Sequence, residues 1–210
     1  MTCPILYSFR RCPYAMRARL AIASSGIQVE LREIVLRDKA PEFLETSPTA
    51  TVPCLKVNEC VFDESLHIMV WALGQNDPEN LMQMPTEGYS LMSTCDGAFK
   101  KALDRYKYPN RYRDIDLIEN RDAASDFIHE LEQRLDGHLF GTDPKLADFA
   151  ILPFIRQFAH VDLDWFTAQP WEKTKVWLQN FKESDRFSDI MDKYSKWSNG
   201  DAPIYFPLQD

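Results

Sequence analysis

The sequence predicts an α/β domain followed by an all-α domain, and three observations carry that prediction. The first 80 residues alternate short β-like runs with short helical patterns, and beyond them the apolar period is helical almost throughout. Between the two lies Gln75-Asn76-Asp77-Pro78-Glu79-Asn80, polar and broken by proline. The expected boundaries are 1–75 for the first domain, 76–86 for the linker and 87–210 for the helical domain. With 210 residues, 45% hydrophobic and 27% charged, the chain is long enough for two domains that each bury a core. Its composition excludes disordered, collagenous and coiled-coil classes.

The elements follow in order. Pro4 to Ser8 is a compact apolar strand. Pro13 to Ser25 is a helix, with proline suited to its first turn, Ala18, Ala21 and Ile22 on an apolar stripe, and Gly26 as its stop. Val29 to Val35 is a second strand, so the first three elements make a right-handed, parallel βαβ unit. Pro41 to Glu45 reads as a short helix, and Pro53–Val57 with Cys60–Phe62 as a hairpin turning at Asn58-Glu59. A helix then runs from Ser65, whose hydroxyl is placed to cap it, to Gly74. The order is βαβ, α, ββα. In the second half, helices are expected over Thr86–Lys107, Asp114–Leu135, Lys145–His160, Pro170–Ser184 and Asp185–Tyr194. Pro203 and Pro207 predict an extended tail. There is no internal repeat and no low-complexity segment.

Charge and cysteines exclude several functions. The net charge is −8, and the first 80 residues hold 8 basic against 10 acidic side chains, so neither half reads as a binder of nucleic-acid phosphates. Lys100-Lys101, Arg105 to Tyr108 and Arg111-Tyr112-Arg113 interleave cations with aromatics, which is read as a solvated helix face bordering an electrophile pocket. No apolar run approaches a membrane span and no signal-like start precedes the first strand, so a cytoplasmic protein is expected. The five cysteines (Cys3, Cys12, Cys54, Cys60 and Cys95) include no Cys-x-x-Cys pair, and the scattered histidines show no metal spacing. Neither a disulfide framework nor a metal site is expected.

Three positions carry chemistry. Cys12 precedes Pro13, so its sulfur lies at the N-cap, where unpaired backbone N–H groups and the helix dipole favour the thiolate. Arg10, Arg11, Arg17 and Arg19 surround it in sequence and no acid occurs before Glu30. The competing reading is an inert, buried thiol. Thr51-Val52-Pro53 enters a strand: a cis proline would free the Val52 backbone to pair with an extended ligand, and a trans one would be an ordinary strand start. At Asp63-Glu64-Ser65 a helix start can receive a carboxylate while Glu64 pairs with an amine, which suits an α-amino-acid head group; otherwise it is a plain cap.

Taken together, Cys12-Pro13-Tyr14-Ala15, Lys39, Thr51-Val52-Pro53 and Glu64-Ser65 resemble the glutathione S-transferase superfamily, and the likeness extends over essentially the whole chain. The Cys-Pro-Tyr-Ala motif is similar to the omega class and its bacterial relatives. The stretch Leu146 to Phe154 resembles the C-domain helix whose buried Asp supports folding. The resemblance implies a thioredoxin-like N-terminal domain joined to a helical bundle, paired two-fold as a homodimer. It implies that Cys12 forms a mixed disulfide with glutathione and that Lys39 meets the glycyl carboxylate. Val52, before a presumed cis-Pro53, pairs with the cysteinyl part, Glu64 and Ser65 hold the γ-glutamyl end, and Phe9 and Tyr14 sit beside the site.

The chain departs from that pattern at three places. Ala50 replaces a common glycine, which is tolerable unless φ there is positive. Lys145 replaces a capping Ser or Thr, so half of a capping box with Asp148 is missing. Ala15 is not cysteine, so any redox cycle is monothiol, with a second glutathione resolving the intermediate. The expected activity is thiol transfer to or from a mixed-disulfide substrate. Conjugation, isomerisation or dehalogenation of a small electrophile is the alternative, or a non-enzymatic member of the fold that binds a protein partner.

Overall fold

The computed structural model describes residues 3–113 and 115–208. It contains two compact units: residues up to Met82 together with Ser184 onward, and Gln83–Glu183.

The first unit is built on a five-stranded sheet of order β4-β3-β1-β2-β5. Strand β1 (Ile5–Ser8) pairs parallel with β2 (Val29–Glu33) through helix α1 (Pro13–Ser25), which is the βαβ unit read from the sequence. Helix α1 stops where expected, at Gly26 with φ 68°, the left-handed conformation that glycine adopts without a Cβ clash. Helix α2 (Pro41–Thr46) leads to the hairpin β3 (Cys54–Val57) and β4 (Cys60–Phe62), with β3 antiparallel to β1. Helix α3 (Ser65–Gln75) packs along α1. This order is that of a thioredoxin-like domain.

The second unit is helical. The single helix expected over Thr86–Lys107 is three pieces: α4 (Thr86–Thr94), a π-helical turn (Cys95–Phe99) and α5 (Lys100–Lys107). The buried stripe Leu91, Cys95, Phe99, Leu103 recurs every fourth residue. That spacing drifts round a helix of 3.6 residues per turn, and the wider π turn takes up the drift. Helix α6 (Leu117–Arg134) begins behind Asp116, whose carboxylate accepts the N–H of Ile118 and of Glu119. The start expected at Asp114 lies outside the described residues. Helices α7 (Leu146–Ala159), α8 (Leu163–Ala168) and α9 (Glu172–Glu183) complete the unit, and α8 was not anticipated.

Asp148, fully buried in α7, accepts from Leu139 N, Lys145 N and Trp177 Nε1 at 3.0, 2.8 and 3.1 Å. The Asp half of the capping box is therefore intact, and a lysine side chain, having no acceptor, does not supply the other half. Trp171, buried among Trp165, Phe158 and Phe166, fills the centre of the unit.

The tail departs from the expected division, which assigned everything beyond residue 87 to the helical domain. Helix α10 (Asp185–Asp189) packs on α1, and β5 (Tyr205–Phe206) pairs antiparallel with Val29 and Glu30 of β2. The physical reason is an open sheet edge: β2 presents unpaired backbone groups, and Leu31 N donates to Ile204 O at 2.7 Å. Arg186 of α10 adds bonds to Ser24 and Glu79.

Candidate functional site

Cys12 occupies the N-cap of α1 with extended backbone, half-buried, and no side chain caps the helix start. Its N–H donates to Phe9 O at 3.0 Å and its carbonyl accepts from Met16 N at 2.9 Å, which fixes the cysteine between β1 and the helix. The sulfur lies 3.6 Å from Val52 O, forty residues away in sequence. Val52 is buried, the Val52–Pro53 peptide is cis, and the pair enters β3. Cys12 and Phe9 pack against an apolar cluster of Tyr7, Ile34, Ala40, Phe43, Val52, Cys54 and Trp197. Cys12, Phe9, Val52 and Pro53 thus come together.

The hydroxyl of Ser65 does not cap α3. Glu64 is the N-cap, exposed and without a side-chain capping bond, and Ser65 is the first helical residue. The buried Ser65 Oγ instead accepts from the Arg17 Nε–H at 2.9 Å. A guanidinium buried between two helices must be hydrogen-bonded, and this bond wins over capping. Oxygen Oγ keeps its own proton to donate, and Glu64 makes no side-chain capping bond at the start of α3. Tyr14 lies on the same side of α1, with the Arg17 guanidinium 5.2 Å from its ring centre.

Behind the cysteine loop lies a buried charged group, where the sequence shows only nearby positive charge. Arg19, 1% exposed, donates to Ser8 Oγ and, at 2.7 Å, to Arg10 O. Burial lowers its pKa to about 10, against the attraction of Glu33, of the Cys12 thiolate and of Tyr194, which favours the charged form. Burial in turn raises Glu33, opposed by the Arg10 N–H at 2.7 Å and by the two arginines. One signal was available: Arg17 and Arg19 stand among Met16, Ala18, Leu20, Ala21 and Ile22, and two arginines set two apart cannot share one solvent face of a helix.

Lys39 is half-buried, follows the Val35–Asp38 bridge, and makes no ion pair among the described residues. It precedes Ala40 of the apolar cluster, yet no described contact joins Lys39 or Glu64 to Cys12. Ala50, the position flagged for a positive φ, has φ 54°. Cys54 is fully buried, and burial pushes its thiol up to about 11, with the Ser47 hydroxyl opposing. All five cysteines are unpaired with one another, and the described residues hold no cluster able to bind a metal. No described helix is long and apolar enough to cross a membrane. In the second unit, Arg111 stacks on Tyr108 at 4.2 Å and joins Arg105, Tyr112 and Arg113 round an open cavity of about 440 Å³.

Residues 6–80 match the family model described as the glutathione S-transferase N-terminal domain. Relatives of this domain extend the likeness further along the chain. Glutathione S-transferase omega-1 of Mus musculus is 24% identical over 187 residues, spanning 82% of this chain and 74% of that one. The probable glutathione S-transferase MSR-1 of Nicotiana plumbaginifolia is 28% identical over 193 residues, with 88% and 87% covered. Among solved structures, glutathione transferase Omega 3C from Trametes versicolor superposes with a TM-score of 0.75 at 16% identity, covering 94% of this chain and 87% of that one. A glutathione transferase family member from Pseudomonas fluorescens, solved with two glutathione molecules bound, gives 0.76 at 19% identity over 90% and 92%. The whole chain has the glutathione S-transferase fold, with a thioredoxin-like domain and a helical region.

Proposed function

We propose that the protein is a glutathione-dependent thiol transferase in which Cys12 exchanges glutathione with mixed disulfides. The observation that carries this is the Cys12 sulfur at an uncapped helix start, 3.6 Å from the Val52 carbonyl beside a cis-proline. A thiolate there is stabilised by the helix N-terminus and by attraction to the buried Arg19 charge. An extended thiol peptide pairing with Val52 has its own sulfur delivered to Cys12. The relatives' names supply glutathione as that peptide.

Each end of glutathione has a partner of the right chemistry. The Lys39 ammonium meets the glycyl carboxylate. At the other end, the Ser65 hydroxyl and the N–H groups opening α3 receive the γ-glutamyl carboxylate, and the Glu64 carboxylate takes the ammonium. Because it accepts from Arg17, the Ser65 hydroxyl keeps its proton to donate to the ligand.

The cycle uses one protein sulfur. The Cys12 thiolate attacks the glutathionyl sulfur of a mixed disulfide; the S–S bond breaks, the substrate thiolate leaves and takes a proton from solvent, and Cys12–S–SG remains. The thiolate of a second glutathione attacks that sulfur, releasing glutathione disulfide and regenerating the Cys12 thiolate. Ala15 provides no second cysteine in the motif, and Cys54, buried with its thiol pushed up, stays protonated. Cys12 has no hydroxyl with which to hold a bound glutathione thiolate for attack on carbon, so conjugation of chlorodinitrobenzene should be the slower activity.

The test is intact-mass spectrometry of the wild type and of Cys12→Ser after glutathione disulfide treatment, with glutathione-dependent reduction of a small mixed disulfide. Addition of one glutathione and turnover in the wild type, with neither in the folded variant, is the expected result. Two unmodified, inactive and folded proteins would refute the mechanism.

A further inference from the structure

We infer that the tail beyond α10 braces the ligand-binding loops of the first unit, with Trp197 as a positioning residue for Lys39 and Val52. The inference rests on the glutathione site proposed above and adds a determinant of its affinity that lies about 150 residues from either loop in sequence.

The tail is tied to each loop by a separate contact. The Arg10 guanidinium, in the loop that ends at Cys12, donates to Met191 O at 3.4 Å. Trp197 N donates to Glu33 O at 2.9 Å, where β2 gives way to the Lys39 loop, and Lys196 pairs with Asp38, the residue before Lys39. The Trp197 indole, 7% exposed, belongs to the same apolar cluster as Ile34, Ala40 and Val52. It meets the Tyr7 ring edge-on at 6.1 Å and carries the Arg32 guanidinium 4.2 Å above it, while Arg32 also donates to the Tyr7 hydroxyl at 3.0 Å. Strand β5 closes the arrangement on β2.

Without the indole, Ala40 and Val52 lose the largest side chain in their cluster. Within itself the Lys39 loop is tied by the backbone bond from Asp38 N to Val35 O at 2.8 Å. A loop left loose must be ordered when ligand binds, and that cost appears in affinity. The electrostatics of the Cys12 sulfur come from α1 and Arg19, and neither depends on the indole. The Trp197 indole therefore bears on ligand affinity and leaves thiolate reactivity to α1 and Arg19.

The experiment compares wild type, Trp197→Phe, Trp197→Leu and Trp197→Ala in the full chain. Thiol-transfer kinetics give KM for glutathione and kcat, and iodoacetamide alkylation of Cys12 against pH gives a reactivity profile independent of glutathione. Expected are a KM raised about tenfold in Trp197→Ala, kcat and the alkylation profile unchanged within about twofold, and a smaller rise in Trp197→Phe, which keeps a ring under Arg32. Equal KM in every folded variant overturns the brace, as does a change in kcat or alkylation profile as large as that in KM. If Trp197→Ala does not fold, the graded comparison of Phe with Leu decides. A wild type that binds no glutathione by calorimetry refutes the functional reading instead. The brace is then judged by amide exchange at Val35–Ala40, and rates unchanged by Trp197→Leu would overturn it.

Discussion

Ala50 is the place where a single methyl group tests the backbone conformation before Val52. Its φ of 54° lies in the left-handed region, and its N–H is held by Ser47 O at 3.2 Å, so the turn is fixed by its own hydrogen bond. An L-residue there carries a penalty of about 1–2 kcal/mol from Cβ against the backbone. Ala50→Gly removes that penalty and adds about 0.4–1 kcal/mol of unfolded-state backbone entropy. The net is a gain of about 0.5–1 kcal/mol, a rise in Tm of about 1–4 °C for a chain of this size. Gly26 provides the mirror experiment: with φ 68° and no heavy atom within 4 Å of an added Cβ, Gly26→Ala should cost about 1 kcal/mol through conformation alone. Urea unfolding of both variants against wild type, with equal slopes and shifted midpoints, is the assay. A destabilised Ala50→Gly, or a Gly26→Ala no less stable than wild type, would refute the conformational argument.

Asp148→Ala strips three donors, two backbone and one indole, of their buried acceptor, and should cost about 3–5 kcal/mol in urea unfolding; a loss under 1 kcal/mol would contradict the bonding described. Glu132 accepts from Lys173 N, Thr174 N and the Thr174 hydroxyl, so Glu132→Ala removes the cap of α9 at a cost of about 1 kcal/mol at neutral pH. Burial alone would raise the Glu132 carboxyl, but those donors hold it below its ordinary value. Its contribution is therefore present above the unfolded carboxylate pKa and lost as pH falls through the folded one. The wild-type advantage over Glu132→Ala should shrink in acid, and a pH-independent difference would contradict the sign.

What the sequence disclosed was governed by local rules. Proline and glycine punctuation placed α1 from Pro13 to Gly26, and the same proline placed Cys12 at the N-cap. The ββ hairpin followed from its turn at Asn58-Glu59, and α3 from the serine and glycine that bracket it. Features that depend on distant partners were not legible. Ser65 looked like a cap because nothing local shows that Arg17, forty-eight residues earlier, takes its hydroxyl. The two residues of β5 have no periodicity of their own and become a strand only against the free edge of β2. The π turn at Cys95–Phe99 is visible in hindsight as a four-residue apolar spacing, yet that spacing also fits a continuous α-helix over so short a stretch.

Because Ser184 onward belongs with the residues before Gln83, the first unit is discontinuous in the chain, with about a hundred residues, most of them helical, inserted into it. During synthesis its opening segment must wait, with the flank of β2 and the aromatic wall of Tyr7 and Phe43 uncovered, until the tail emerges. Pairings such as Val29 with Phe206 span almost the entire chain, so the unit closes late and slowly relative to the helical insert. A fragment ending at Met82 would keep the cysteine and the cis-proline loop yet carry an adhesive sheet margin, making it a poor stand-in for the intact chain and a natural client for chaperones.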